Sequence, residues 1–205
     1  GTAPKATIDD VRRAIDVARR FRCRLSRHER YRILIRAGEL IAARREEIAR
    51  LITLESGLCL KDTRYEVGRA SDVLLFAANQ ALVDDGQVFS CDLTAHGRNR
   101  KVYTMREPLA GVITAITPFN HPLNQVIHKV APAVATGNRI LVKPSEKTPL
   151  AALVLADVLY EAGLPPPMLS VLTGDPREIA DEMLTHADVD LVTFTGGVAI
   201  GKYIA

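Results

Sequence analysis

The chain has 205 residues, 47% of them hydrophobic, with 27 Lys+Arg set against 24 Asp+Glu. That composition excludes intrinsic disorder, and a formal net charge of +3 is too small to imply a nucleic-acid partner. No apolar run approaches the roughly 18–20 residues that cross a bilayer, so no membrane span is expected. The three cysteines, Cys23, Cys59 and Cys91, lack metal-ligand spacing and, as an odd set, fit a disulfide framework poorly. No bound metal is expected, and a cytoplasmic location is.

The first elements read as helices. In "TIDDVRRAIDVARRF", Thr7 is a good N-cap and Asp10 stands at the third helical position, a capping box with a shorter acid. A second helix is expected from about Ser26 or His28 to Leu54, because Leu34, Ala37, Leu40, Ile41, Ile48, Leu51 and Ile52 recur at threes and fours. Gly57 is a plausible stop. A third helix is expected from about Lys61 to Val83, ending in the turn Asp84-Asp85-Gly86. Between Arg12 and Arg36 stand ten arginines and two acids, Asp16 and Glu29. Apolar residues are interleaved among them, which fits the solvated face of two amphipathic helices better than a nucleic-acid arm.

The pattern then changes. "GRNRKVYTMREPLAG" is short, alternating and charged, and predicts an exposed strand or hairpin in want of a partner. From Gly111 the rhythm is strand, helix, strand. "GVITAIT" leads to a helix from about Leu123. "NRILVKPS" leads to one from Thr148 to Ala162, and "MLSVLTG" to one from Pro176 to Thr185. "DLVTFTGG" leads to the helical start "VAIGKYIA". Continuous apolar strands alternating with amphipathic helices predict a Rossmann-like α/β fold, a doubly wound parallel sheet preceded by a helical segment and the exposed hairpin. The expected division is 1–90 for the helical part, 91–110 for an oligomerisation strand or hairpin, and 111–205 for the nucleotide-binding core.

Ligands of such sheets bind beyond the carboxyl ends of the strands. There the sequence places Thr117, Phe119, Asn120 and His121, then Lys143, Ser145 and Glu146, then Gly174, then Gly196 and Gly197. Gly196 and Gly197 open a strand-to-helix turn whose amides suit a phosphate, or serve the turn alone. No GxGxxG stands after any strand. Glu146 with Lys143 suits the hydroxyls of a ribose, or is a surface ion pair of little energetic weight. The carboxamide of Asn120 is either a donor to a developing oxyanion or the N-cap of the next helix.

Taken together these stretches resemble the aldehyde dehydrogenase superfamily. The resemblance is carried by Pro118-Phe119-Asn120-His121-Pro122, by "APAVATGNRILVKPSEKTP" from Ala131 to Pro149, and by "AGLPP" and "VDLVTFTGG". It reaches back to "REPLAGV" and "LITLESG", nearly the whole chain. It implies NAD as cofactor, with NADP possible. It implies Asn120 as the oxyanion-hole donor, Lys143 and Glu146 at the adenosine ribose, and Gly196 and Gly197 at the pyrophosphate. Thr117, Phe119, Ser145 and Gly174 complete the cofactor side, and Lys129 stands near the nicotinamide. Most members of the superfamily carry Ser where Gly197 stands. The superfamily also implies a homodimer or homotetramer.

The superfamily's general-base glutamate and nucleophilic cysteine have no counterpart here, so the chain is expected to be the N-terminal portion of a longer enzyme. A non-catalytic nucleotide-binding module is the alternative. Positions 121, 124 and 128 share one helical face. They correspond to the superfamily's substrate tunnel, as Arg69 does on the preceding long helix. His121, Asn124, His128 and Arg69 in those positions suit an anionic aldehyde. "TPFNHPLNQVIHKVAPA" and "FTGGVAIGKYIA" are most similar to phosphonoacetaldehyde dehydrogenases. That likeness implies oxidation of phosphonoacetaldehyde to phosphonoacetate in phosphonate catabolism, with another small semialdehyde as the alternative substrate. Arg69 as a plain surface arginine and His128 as a core histidine are the competing structural readings.

Overall fold

A computed structural model describes residues 2–83 and 86–205. Four helices come first: α1 (Ile8–Arg20), α2 (Arg27–Ala43), α3 (Arg45–Ser56) and α4 (Leu60–Ala81). Thr7 and Asp10 form the reciprocal capping box of α1, and Ser26 with Glu29 repeats it on α2. The single helix expected from Ser26 to Leu54 is instead two, broken at Arg44 (φ −99°, ψ 17°). Neither Gly nor Pro marks that break. It falls in the charged stretch between Ala43 and Ile48, where no apolar side chain ties the two segments into one face. Gly57 ends α3 in the left-handed conformation (φ 76°). The turn expected at Asp84-Asp85-Gly86 falls on Asp84 and Asp85, which lie outside the described residues.

The strands β1 (Val88–Ser90) and β2 (Lys101–Tyr103) form an antiparallel, fully exposed pair. The second sheet is parallel throughout, with strands β3 (Val112–Ile116), β4 (Ile140–Lys143), β5 (Leu169–Val171) and β6 (Val189–Phe194) in the order β5-β4-β3-β6. Between them run α5 (Pro122–Ala135), α6 (Leu150–Glu161) and α7 (Pro176–Thr185), and α8 (Val198–Ile204) follows β6. The order steps outward from β3 through β4 to β5 and then returns to the other side with β6. The switch in direction lies between β3 and β6, the place where open parallel sheets leave a crevice.

Alternation along the strands divides the core. Ile113, Ala115, Ile140 and Val142 join a large cluster with α2 through α6, including Leu34, Ile41, Ile52, Leu74 and Ile127. Val112 and Leu141 point to the opposite face, where Val11, Ile15 and Ala18 of α1 meet Ile179 and Met183 of α7. α1 is fixed to the sheet by Arg139, which is 3% exposed. Its guanidinium donates to the carbonyls of Ala18 (3.2 Å), Leu109 (3.1 Å), Ala110 (2.7 Å) and Gly111 (2.7 Å).

The arginine-rich helices are laced by ion pairs: Arg12 with Glu182, Arg19 with Asp188, Arg20 with Asp16 and Arg36 with Glu39. Arg30 donates instead to the carbonyls of Leu25 and Ala135. Among the described residues no helix is long and apolar enough to cross a membrane.

Candidate active site

The strand register brings the expected rim together. Ile116 pairs with Lys143 on one side and with Phe194 on the other, and Val142 pairs with Val171. Backbone bonds continue past the strand ends, from Thr117 N–H to Lys143 O, from Leu172 N–H to Val142 O, and from Thr195 N–H to Ile116 O. Thr117, Lys143, Gly174, Gly196 and Gly197 therefore stand along one edge of the sheet.

Two clefts open on that edge. The larger, about 820 Å³, is lined by Glu146, Lys147, Gly174, Asp175, Arg177 and Glu55, among others. Its size lies within the range of small-molecule sites. Lys143 lies beneath it, its side chain 2% exposed, with Nζ 3.6 Å from the half-exposed Glu146 carboxylate and donating to Pro144 O at 3.1 Å. Burial pushes the Lys143 ammonium below the ordinary lysine range, and Glu146 opposes that shift. The surface ion pair considered from sequence is thus half buried: a fixed cation holds an acid that faces the cleft.

Other expected cofactor residues behave differently. Ser145 is buried and its hydroxyl accepts from Lys147 N–H, so it shapes the turn. Thr117 is buried, with its hydroxyl lacking a partner. The Phe119 ring is half-exposed and lies 4.6 Å beneath the Lys147 ammonium. Gly196 is required by packing, since a Cβ there would meet the Phe194 ring at 2.4 Å. Gly197, the residue before α8, has open space around it and an ordinary φ of −69°.

The smaller cleft, about 180 Å³, lies between α4 and α5. It is lined by Arg69, His121, Asn124 and His128, joined by Asp62, Tyr65, Glu66 and Gln125. All four residues expected to face the substrate are in it. Arg69 lies 6.0 Å from the Tyr65 ring centroid. His128 is exposed, which excludes the core-histidine alternative. The imidazole is only partly desolvated against the cleft wall; that desolvation, then Arg69 and Lys129, hold it below the ordinary range. Lys129 reaches across to β6, donating to Thr193 Oγ1 at 3.0 Å, and burial lowers its ammonium as well.

Asn120 is exposed one residue before the N-cap position of α5, which His121 occupies without a side-chain cap bond. The N-cap alternative for Asn120 is therefore overturned. The acceptor that α5 needs comes from Glu66 on α4, whose Oε1 takes the Leu123 and Asn124 amides at 2.9 and 3.0 Å. Glu55 at the end of α3 does the same for α6, accepting from Leu150 and Ala151. Neither acid is expected from the sequence reading above. The signal was present, because each continues an apolar stripe where a hydrophobe belongs: Ile48, Ile52, Glu55 on α3 and Thr63, Glu66, Ala70, Leu74 on α4. The cysteines are free: Cys23 lies against Met168, Cys59 against Asp62, and Cys91 is exposed beside the hairpin.

Comparisons with known proteins agree with this fold. Residues 1–205 match the aldehyde dehydrogenase family. The 3-sulfolactaldehyde dehydrogenase of Priestia aryabhattai is 41% identical over 200 residues, 97% of this chain and 42% of that protein. The mitochondrial succinate-semialdehyde dehydrogenase of Arabidopsis thaliana is 40% identical over 179 residues, 87% of this chain and 33% of the relative. Among solved structures, an NAD-dependent aldehyde dehydrogenase from Sinorhizobium meliloti superposes with a TM-score of 0.91 at 35% identity, covering 98% of this chain and 40% of that one. The NADP-bound glyceraldehyde-3-phosphate dehydrogenase of Bacillus halodurans gives 0.93 at 33%, covering 98% and 43%. The chain thus spans between a third and about two fifths of the length of these relatives, and over that span it belongs to the aldehyde dehydrogenase family.

Proposed function

We infer that this chain is the N-terminal, cofactor-binding portion of an NAD(P)-dependent aldehyde dehydrogenase that oxidises an aldehyde bearing an anionic group. Phosphonoacetaldehyde is the first candidate and 3-sulfolactaldehyde the second. The observation that carries the reading is the convergence of Arg69, His121, Asn124 and His128 on one small cleft at the start of α5, with Asn120 exposed just before it. A guanidinium and two imidazoles lining a narrow passage suit phosphonate, sulfonate or carboxylate oxygens. The names of two similar proteins, acting on 3-sulfolactaldehyde and succinate semialdehyde, are those of anionic aldehydes.

The residues present fit a nicotinamide dinucleotide. Glu146 would accept from the adenosine ribose hydroxyls while Lys143 holds it in place, and the open space at Gly197, at the start of α8, leaves room for a pyrophosphate. When bound, the nicotinamide takes the hydride from the substrate. The unengaged carboxamide of Asn120 would donate to the carbonyl oxygen as negative charge gathers there. Arg69 and the histidines would hold the far end of the substrate, which fixes the distance of the carbonyl from Asn120. The exposed hairpin residues Val88, Phe89, Val102 and Tyr103 support assembly as a homodimer or homotetramer.

The test is steady-state turnover of the complete coding frame on phosphonoacetaldehyde, 3-sulfolactaldehyde and propanal. Preference for the charged aldehydes by about a hundredfold is expected, and Arg69→Ala raises KM for them by tenfold or more. Equal efficiency on propanal would refute the anionic-substrate reading.

A further inference from the structure

Glu66 stands three residues before Arg69 on α4, and 1% of its side chain is exposed. One carboxylate oxygen is spent on the two α5 amides. The other, Oε2, is buried with no hydrogen-bond partner, a costly state for a charged acceptor. His121 Nδ1 lies 3.6 Å away, and the His121 ring is half-exposed. A shift of that ring by about half an ångström closes the bond. The proton must then sit on Nδ1, which leaves Nε2, on the opposite side of the imidazole, for a ligand. The charged or titratable groups that share the cleft are Asp62, Tyr65 and Arg69 from α4 and His128 from α5. Partial desolvation, then Arg69 and Lys129, hold the His128 imidazole below its ordinary range.

We propose that Glu66 is a positioning residue for substrate charge, resting on the reading that this cleft takes the anionic end of the aldehyde. Glu66 accepts from Nδ1–H of His121, which turns the Nε2 side of the ring toward the substrate head group. His121 then stands as an imidazolium between two anions, the buried carboxylate and the bound head group. The helix-capping acid of α5 is in this way a specificity determinant.

The experiment uses the complete enzyme and reads one ratio at a single pH: kcat/KM for 3-sulfolactaldehyde over kcat/KM for propanal. The uncharged aldehyde cancels changes that act on the reacting groups alone. Glu66→Gln retains an oxygen for the α5 amides but presents N–H₂ or a neutral oxygen to His121. It lowers the ratio by about tenfold. His121→Ala does the same, and adding Glu66→Gln to His121→Ala changes nothing further. A role confined to capping α5 would lower both kcat/KM values together and leave the ratio unmoved, or would persist in the His121→Ala background. Either result overturns the proposal while the anionic-substrate reading stands. A parent ratio near unity overturns that reading and this one together.

Discussion

Replacing Arg139 by methionine separates the fold from the chemistry. Arg139 lines neither cleft, and its guanidinium serves four carbonyls at the junction of α1 with the approach to β3. Methionine keeps the length and apolar volume of the stem but donates nothing. At the low end of ~1.5 kcal/mol for a hydrogen bond to a charged group, the four contacts total about 6 kcal/mol. Relief of guanidinium desolvation returns about half of that, leaving a net loss of about 3 kcal/mol. For a chain of this size that lowers Tm by about 6–12 °C. Urea denaturation followed by circular dichroism measures it, and Arg139→Lys, with a point charge in place of a planar fork, should fall between parent and methionine. A loss below about 1 kcal/mol for Arg139→Met would show that the carbonyls find other donors and that the buried arginine is energetically idle.

Four other outcomes follow from the geometry. Burial raises the Glu55 carboxyl above its ordinary value against the opposing α6 amides, so the native state holds that proton more tightly than the unfolded chain. This contribution to stability is present below the ordinary carboxylate value and is lost as pH rises through the raised native one. The stability of the parent minus that of Glu55→Gln therefore falls as pH rises from about 4, the ordinary carboxylate range, in urea titrations, and a rising difference would contradict it. Lys143→Met removes a buried ammonium, so it should raise Tm by about 2–4 °C while weakening NAD binding in calorimetric titration. Gly197→Ser meets open space at an ordinary φ, so Tm should change little and nucleotide affinity should rise through one added hydroxyl contact. Gly196→Ser at the neighbouring position would drive a Cβ into the Phe194 ring and should cost several degrees in a thermal melt.

Much of this was legible in the sequence because it rests on local signals. The capping box of Thr7 and Asp10, the left-handed stop at Gly57 and the apolar strands from Val112 to Phe194 are each fixed by residues within a few positions of one another. The convergence of Arg69 with His121, Asn124 and His128 was also expected, since helical spacing placed three of the four on one face. What escaped was long-range. The break at Arg44 has no local breaker and follows from how α2 and α3 pack separately. Glu55 and Glu66 looked like ordinary helix-surface acids because their partners stand 95 and 57 residues away. Ser145 carries a polar side chain at a strand end, yet its hydroxyl is taken by its own turn. One-dimensional spacing cannot tell a hydroxyl offered to a ligand from one spent on the backbone.

The borrowed caps bear on how the chain acquires its structure. α5 and α6 each begin without a side-chain cap of their own and are completed by an acid from a helix translated earlier. As synthesis proceeds, α3 and α4 emerge with Glu55 and Glu66 still waiting for those amides. The later helices gain full end stabilisation only on docking against the earlier ones. Fraying at the start of α5 is then not a local event, since it requires release of α4. The amide hydrogens of Leu123 and Leu150 should exchange with solvent as slowly as those of the central strand β3, rather than at the fast rate usual for a helix's first turn.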